Sequence, residues 1–216
     1  MMRKFRITIL MMALVLLLPI VSNASTYKSR RNNYGLTAKE IRLIGGKEVL
    51  NSWPTDVSTG RIRTLKKALA LLGKTRYGYG AGHGYSDLGK VPASRCGALD
   101  CSSFVSWALS RARIVRINYC TLDFYDSRYF SSTRLANILP MDVALIGAGR
   151  KNRSLPDHVG FYLGRKNGRM LWLHCTTSVM PGGVVINSDT RFILGASTKY
   201  GQSRPRYYTC LNYKNF

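Results

Sequence analysis

The chain has 216 residues, 20 % of them charged, and a formal net charge of +23. Its length allows one compact domain with a sizeable core plus an extension, and excludes a second domain of similar size. There is no internal repeat of the sort that builds an appended binding array, and no long low-complexity tract.

At the N-terminus Arg3, Lys4 and Arg6 precede an apolar run over 7–21, and Ser22, Asn23 and Ala24 close it with small residues. This is the layout of a secretory signal peptide, 1–24, cleaved after Ala24. A membrane anchor needs about 20 apolar residues, whereas this run is shorter and interrupted by Pro19. No Cys lies at its end to take a lipid, so the exported chain is expected to be soluble, without stable membrane insertion. Cleavage removes three basic residues and no acid, leaving 30 basic against 10 acidic side chains. Such a charge draws polyanions, which outside a cell include teichoic acids, other anionic wall polymers, anionic lipids and peptidoglycan carboxylates. Export, and the lack of zinc-finger spacing or a Gly-Phe-rich motif, argue against nucleic acid as a partner. A solvated basic surface with no specific partner is the plain alternative.

Residues 25–52 read as a partly flexible N-terminal extension and 53–216 as the globular domain, beginning near Trp53. Within the extension a short amphipathic helix is expected over 38–50, weakened by Gly45 and Gly46. Ser58 and Thr59 can cap a helix over 60–72, whose Ile62, Leu65, Leu69 and Leu72 share a face before Gly73 ends it. Five cysteines follow: Cys96, Cys101, Cys120, Cys175 and Cys210. The odd count leaves at least one free thiol or an intermolecular bridge, and spacing does not choose among the pairings. No two of them have the close spacing of a zinc site.

The segment 97–109, GALDCSSFVSWAL, carries a Gly-containing polar stretch into a helical pattern. A helix is expected to start at Asp100 or Cys101. Val105, Ala108 and Leu109 lie four, seven and eight residues past Cys101, so the buried stripe runs beneath that thiol. A sulfur at a helix N-terminus meets unpaired N–H groups and the positive end of the dipole, which favours a thiolate and lowers the thiol pKa. The same N–H groups can hold an oxyanion. Taken alone, a helix-start Cys is more often packing than chemistry.

A cysteine nucleophile needs a base. His158 opens one strand-like run, His174 closes a second, and between them Arg165-Lys166-Asn167-Gly168-Arg169 signals a hairpin. A three-residue loop of Lys166, Asn167 and Gly168 pairs Arg165 with Arg169, so that Gly160 faces His174 and His158 faces Thr176. The two histidines then share a face, Gly160 leaves room beside them, and Val159, Phe161, Leu163, Leu171, Leu173 and Cys175 form the apolar face. A two-residue loop would put the histidines on opposite faces. On this register Cys175 is a core residue, His158 is general base and then general acid, and His174 fixes its tautomer through a ring-to-ring hydrogen bond. Two structural histidines are the bland alternative. His83, in a Gly-rich loop, reads as a surface or substrate-side residue. Strands are also expected over 142–146 and 184–187, while Tyr207, Tyr208 and Tyr213 fit a last core strand or an exposed aromatic edge.

With these residues in view, the chain resembles the NlpC/P60 family of papain-like cysteine peptidases. Four blocks carry the resemblance, 77–80, 99–105, 158–164 and 173–174, and together they span about Thr64 to Asn187. The resemblance implies an α+β, papain-like fold, in which an antiparallel sheet packs against helices with the nucleophile at a helix N-terminus. It implies a Cys101, His158, His174 triad that needs no metal and no cofactor. It also implies hydrolysis of an amide bond in peptidoglycan stem peptides, commonly that between D-glutamate and the diamino acid. Tyr77 matches a tyrosine near the oxyanion site, Asp100 and Ser102 match residues that contact the substrate's amino end, and Tyr79 is a lesser substrate-side candidate. Locally these positions also read as a packed aromatic, an N-cap carboxylate and a first-turn hydroxyl. The chain departs from the family where Ser103, Ala81 and Met141 stand for Gly, and in a long loop over 82–99. A catalytically idle wall-binding protein and a papain-like acyl or amide transferase are the competing functions.

Overall fold

The computed structural model describes residues 34–147, 156–188, 192 and 205–216. The signal peptide and the start of the leader lie outside them. Among the described residues no helix is long and apolar enough to cross a membrane.

The first helical stretch is two short helices, α1 (Ala38–Leu43) and α2 (Lys47–Asn51). Gly45 and Gly46 between them take φ of 113° and 92°, a conformation that breaks a helix and that glycine reaches without strain. Thr37 and Glu40 close a capping box on α1. The next helix, α3 (Thr59–Leu69), has Ser58 at its N-cap position, but the Ser58 side chain makes no capping bond. It ends three residues before the sequence pattern does, in tight turns through Leu72. Two strands of two residues each, β1 (Arg76–Tyr77) and β2 (Ala98–Leu99), pair in parallel and lead into α4 (Cys101–Arg111) and α5 (Thr121–Asp126).

The sheet that follows has six strands: β3 (Phe130–Thr133), β4 (Val143–Gly147), β5 (Pro156–Lys166), β6 (Arg169–Thr176), β7 (Gly183–Asn187) and β8 (Arg206–Cys210). Their order is β3-β8-β4-β5-β6-β7, antiparallel throughout. The tyrosine-rich C-terminal segment is therefore an interior strand, inserted between β3 and β4. One face of β5 and β6 packs on α4, where Phe104 meets Phe161 edge-on at 5.9 Å, and joins Val159, Phe161, Leu163, Leu173 and Cys175 to the main core. The opposite face carries a smaller apolar cluster of Ala144, Ile146, Tyr162, Met170, Trp172 and Phe192. This is the α+β arrangement expected, with a helix N-terminus at Cys101. Leu36, Ile44, Val49 and Leu50, ahead of Trp53, are buried in the same main core.

The β5–β6 hairpin corrects one expectation and keeps its consequence. The loop has two residues, Asn167 and Gly168, both at positive φ, and Lys166 pairs with Arg169. That register would have separated the histidines. A bulge between Tyr162 and Gly164 inserts one extra residue, so that Tyr162 pairs with Trp172 and Phe161 with Leu173, and Gly160 again comes level with His174. Gly164 makes the bulge possible at φ of 139°. A Cβ there would lie 2.7–2.9 Å from Ser52 Oγ, Val49 Cγ1 and Trp53 Nε1. Trp53 Nε1 donates to Leu163 O at 2.5 Å and Ser52 Oγ accepts from Arg165 N–H at 2.9 Å. The segment around α2 thus clamps the irregularity that sets the histidine register. Gly164→Ala is expected to cost about 2–4 kcal/mol, from backbone strain and overpacking together, and to lower activity beyond that loss. Urea titration beside an activity assay on the folded fraction checks both.

Candidate active site

Asp100 caps α4. Its Oδ1 accepts from the Ser103 N–H at 2.8 Å, and Ser103 Oγ accepts from the Asp100 N–H at 2.9 Å. Ser103, where the resembled family has Gly, also donates to Ala81 O at 2.7 Å, which pins the loop over 78–82 to the helix start. Gly82, at φ of 98°, leaves room for it, since a Cβ there would meet Ser103 Cβ at 2.6 Å. Met141, the third departure from Gly, sits at φ of 68° and donates its N–H to Tyr162 O at 2.7 Å.

Cys101 is the first residue of α4 and is 4 % exposed. The last β5–β6 pair at this end is Phe161 with Leu173, so Val159 lies beyond it. The N–H groups of Val159 and Ser102 and the Thr121 hydroxyl are turned to the sulfur. The thiol is thereby placed against the residue that follows His158. Burial first and the Asp100 carboxylate second push the Cys101 thiol up to about 11, against the pull of those three donors. The lowered pKa expected from the helix N-terminus is not met, because desolvation outweighs the dipole. At neutral pH the resting thiol is therefore protonated.

The histidines lie together on the sheet face opposite α4. His158 Nε2 and His174 Nδ1 are 2.9 Å apart, and His174 Nε2 is 3.1 Å from Asn187 Oδ1. An amide oxygen only accepts, so His174 Nε2 carries a proton. The neutral His174 ring then accepts at Nδ1, His158 donates from Nε2, and Nδ1 of His158 is its basic nitrogen. Phe192 packs on both rings at 5.2 and 5.3 Å and stacks on Trp172 at 4.8 Å. His174 is fully buried and His158 is 9 % exposed, so the relay works away from bulk water. The ring-to-ring bond is the one the sequence register called for. Asn187 and Thr121 were missed by sequence reasoning. For Asn187 a signal existed, because strand 184–187 was expected and counting its register against β6 sets it diagonal to His174.

Tyr77 is half-buried in β1, opposite Leu99. Burial, with the charges that Cys101 and Asp100 can carry, pushes its phenol up to about 12, so it stays an O–H donor at any working pH. Ser102 Oγ donates to Asp100 Oδ1 at 3.0 Å. His83 Nε2 lies 2.9 Å from Asp100 Oδ2 and 3.2 Å from Ser102 Oγ, so both oxygens of the Asp100 carboxylate have partners. Tyr79 stands apart, 91 % exposed. All five cysteines are free thiols, Cys120 exposed and the other four buried. Cys175 is in the core, its thiol 3.2 Å from Leu99 O and pushed up by burial. No group of three or more potential metal ligands occurs among the described residues.

Two substitutions separate the causes of the raised thiol. Asp100→Asn removes a negative charge and is expected to speed iodoacetamide alkylation of Cys101 at pH 8 several-fold, whereas Thr121→Val is expected to slow it. In the unsubstituted protein the rate should climb about tenfold per pH unit from 7 to 10. A plateau below pH 7 would mean a preformed thiolate.

No family model matches the chain, and no curated protein matches it. Solved structures similar to it include NlpC2 from Trichomonas vaginalis, 21 % identical, with 70 % of this chain and 47 % of that one covered at a TM-score of 0.47. NlpC1 from the same organism is 22 % identical, with 70 % and 45 % covered at 0.45. The peptidoglycan hydrolase RipB from Mycobacterium tuberculosis is 18 % identical, with 77 % and 72 % covered at 0.45. The chain thus spans less than half the length of the two Trichomonas vaginalis proteins.

Proposed function

We propose that this chain is an exported cysteine peptidase that hydrolyses an amide bond in peptidoglycan stem peptides, between D-glutamate and the diamino acid, through Cys101, His158 and His174. The observation that carries it is the relay from Asn187 through His174 to His158, with the backbone N–H of the next residue, Val159, bonded to the thiol at the start of α4. Such a chain of donors and acceptors fixes one basic nitrogen, which a pair of structural histidines does not need. The choice of substrate draws on the family resemblance of the four sequence blocks and on the cationic surface.

In the reaction, Cys101 Sγ attacks the amide carbon while its proton passes to His158 Nδ1. Since the thiol is neutral at rest, transfer and attack proceed together, with His158 as general base rather than as partner in a standing ion pair. The oxyanion lies toward the N–H groups that open α4 and the Tyr77 hydroxyl. Collapse expels the amine, which takes the proton from His158 and leaves a thioester on Cys101. Water, deprotonated by His158, then releases the carboxylic acid and restores the thiol.

The test is mass spectrometry of purified peptidoglycan and defined stem peptides incubated with the reduced protein and with Cys101→Ala. New fragments at one amide bond, absent with the variant, are expected. If neither protein cuts and both sediment with walls, the binding reading replaces this one. If an added amine appears in the product, the reaction is transfer.

A further inference from the structure

At the far end of α4 from Cys101, ten residues and about 15 Å along the helix, lies a cleft of about 590 Å³. Lys90, Arg111, Arg113 and Arg116 line it, with Asp87 as the one carboxylate among its lining residues. Asp87 is shared between Arg116 at 3.0 Å and Lys90 at 3.5 Å. Arg111 donates to the Gly89 carbonyl at 3.4 Å, and neither Arg111 nor Arg113 has an ion pair with a carboxylate among the described residues. The walls therefore carry three positive charges in excess, gathered from the 88–90 turn, the end of α4 and the segment after it. Arg113 sits at φ of 58°, the left-handed position that ends a helix and that glycine ordinarily fills. The cleft plays no part in the chemistry at Cys101.

We propose that this cleft binds a phosphate-bearing sugar or polyol unit. Three guanidinium groups and an ammonium lining one cleft suit a tetrahedral oxyanion with several free oxygens, whereas a flat carboxylate fills one fork. The volume is that of a pocket for a small organic ligand, larger than a lone phosphate needs, and Ser110, Asn212 and Tyr129 on its wall add uncharged polar groups suited to a sugar or polyol. The anion site stands independently of the peptidase reading; only the choice of a wall polymer as the source of the unit rests on it.

The probe is a glycerol-phosphate polymer, titrated at roughly 150 mM salt against the full chain carrying Cys101→Ala. The cleft variant adds Arg111→Gln, Arg113→Gly and Arg116→Gln. A control adds Lys39→Gln, Lys47→Gln and Lys67→Gln, which removes the same charge from exposed positions elsewhere. The cleft variant is expected to lose about tenfold or more in affinity and to flatten the salt dependence, and the control to lose much less. Competition by free glycerol phosphate assigns the site to the single unit, and its failure assigns it to the chain. Equal losses in the two variants, or single-stranded DNA of equal charge binding as tightly and losing as much, would overturn the proposal. The cleft substitutions, made with Cys101 intact, should leave cleavage of a small stem peptide and the melting temperature unchanged. If neither form cleaves while polymer binding still depends on the cleft, the peptidase reading falls and the anion site stands.

Discussion

Arg61→Met is expected to lower folding stability by about 3–5 kcal/mol, the cost of leaving a buried charge without its partner. Arg61 and Asp142 form an ion pair at 2.7 Å with side chains 5 % and 0 % exposed. Asp142 also accepts from the Leu139 N–H and the Thr209 hydroxyl, both at 2.8 Å. Arg61 donates to Pro140 O at 2.6 Å and lies under the Tyr213 ring, 4.6 Å from its centre. The cluster ties α3, the start of β4 and β8 together, and β4 is the strand on which β5 lays His158. The pH dependence has a definite sign. Burial holds the Asp142 carboxyl above its ordinary range, and the Arg61 guanidinium is the strongest influence pulling it back. Without Arg61 that carboxyl rises further, so the folded state takes up a proton more readily than the unfolded one. The deficit should shrink as pH falls from 7 toward 4 and be largest at neutral pH and above. Denaturant midpoints of both proteins across that range measure it.

His158→Ala is expected to lower kcat/KM by about 10³-fold, in the middle of what a general base contributes, because a thiol at about 11 has no other route to lose its proton at neutral pH. His174→Ala leaves the His158 Nε2 proton without its acceptor. The proton can then move to Nδ1 and block the base, so a loss of about 10²-fold or more is expected. Asn187→Leu removes only the outer anchor and should cost about tenfold. Raising the pH to 10 should restore part of the His158→Ala rate, since hydroxide then ionises the thiol directly. A rate equally low at pH 10 would mean that the substitution damaged more than proton transfer.

Much of the site was legible because its signals are local. Asp100 and the stripe of Val105, Ala108 and Leu109 announce a helix that starts beneath Cys101, and alternation from His158 to Leu163 announces a half-buried strand. The facing of Gly160 and His174 was read correctly from a wrong loop. Asn167 and Gly168 make the shorter turn, and the bulge that compensates depends on Gly164 meeting Val49, Ser52 and Trp53, over a hundred residues earlier. No local pattern carries that contact. The thiol pKa was misjudged for the same reason. A helix N-terminus is visible in sequence, whereas the burial of Cys101 comes from long-range packing on β5 and α5. The two-helix entry, by contrast, was signalled by Gly45 and Gly46 and underweighted.

Covalent catalysis by Cys101 is tested by trapping its acyl intermediate. The reduced protein is mixed with a defined stem peptide, quenched in acid within the first turnover, digested, and the five cysteine-containing peptides weighed. A hydroxylamine-sensitive acyl group is expected on the Cys101 peptide alone, absent in Cys101→Ala. Product formed at the same rate by Cys101→Ala, or the acyl group found on Cys120 or Cys175, would contradict it.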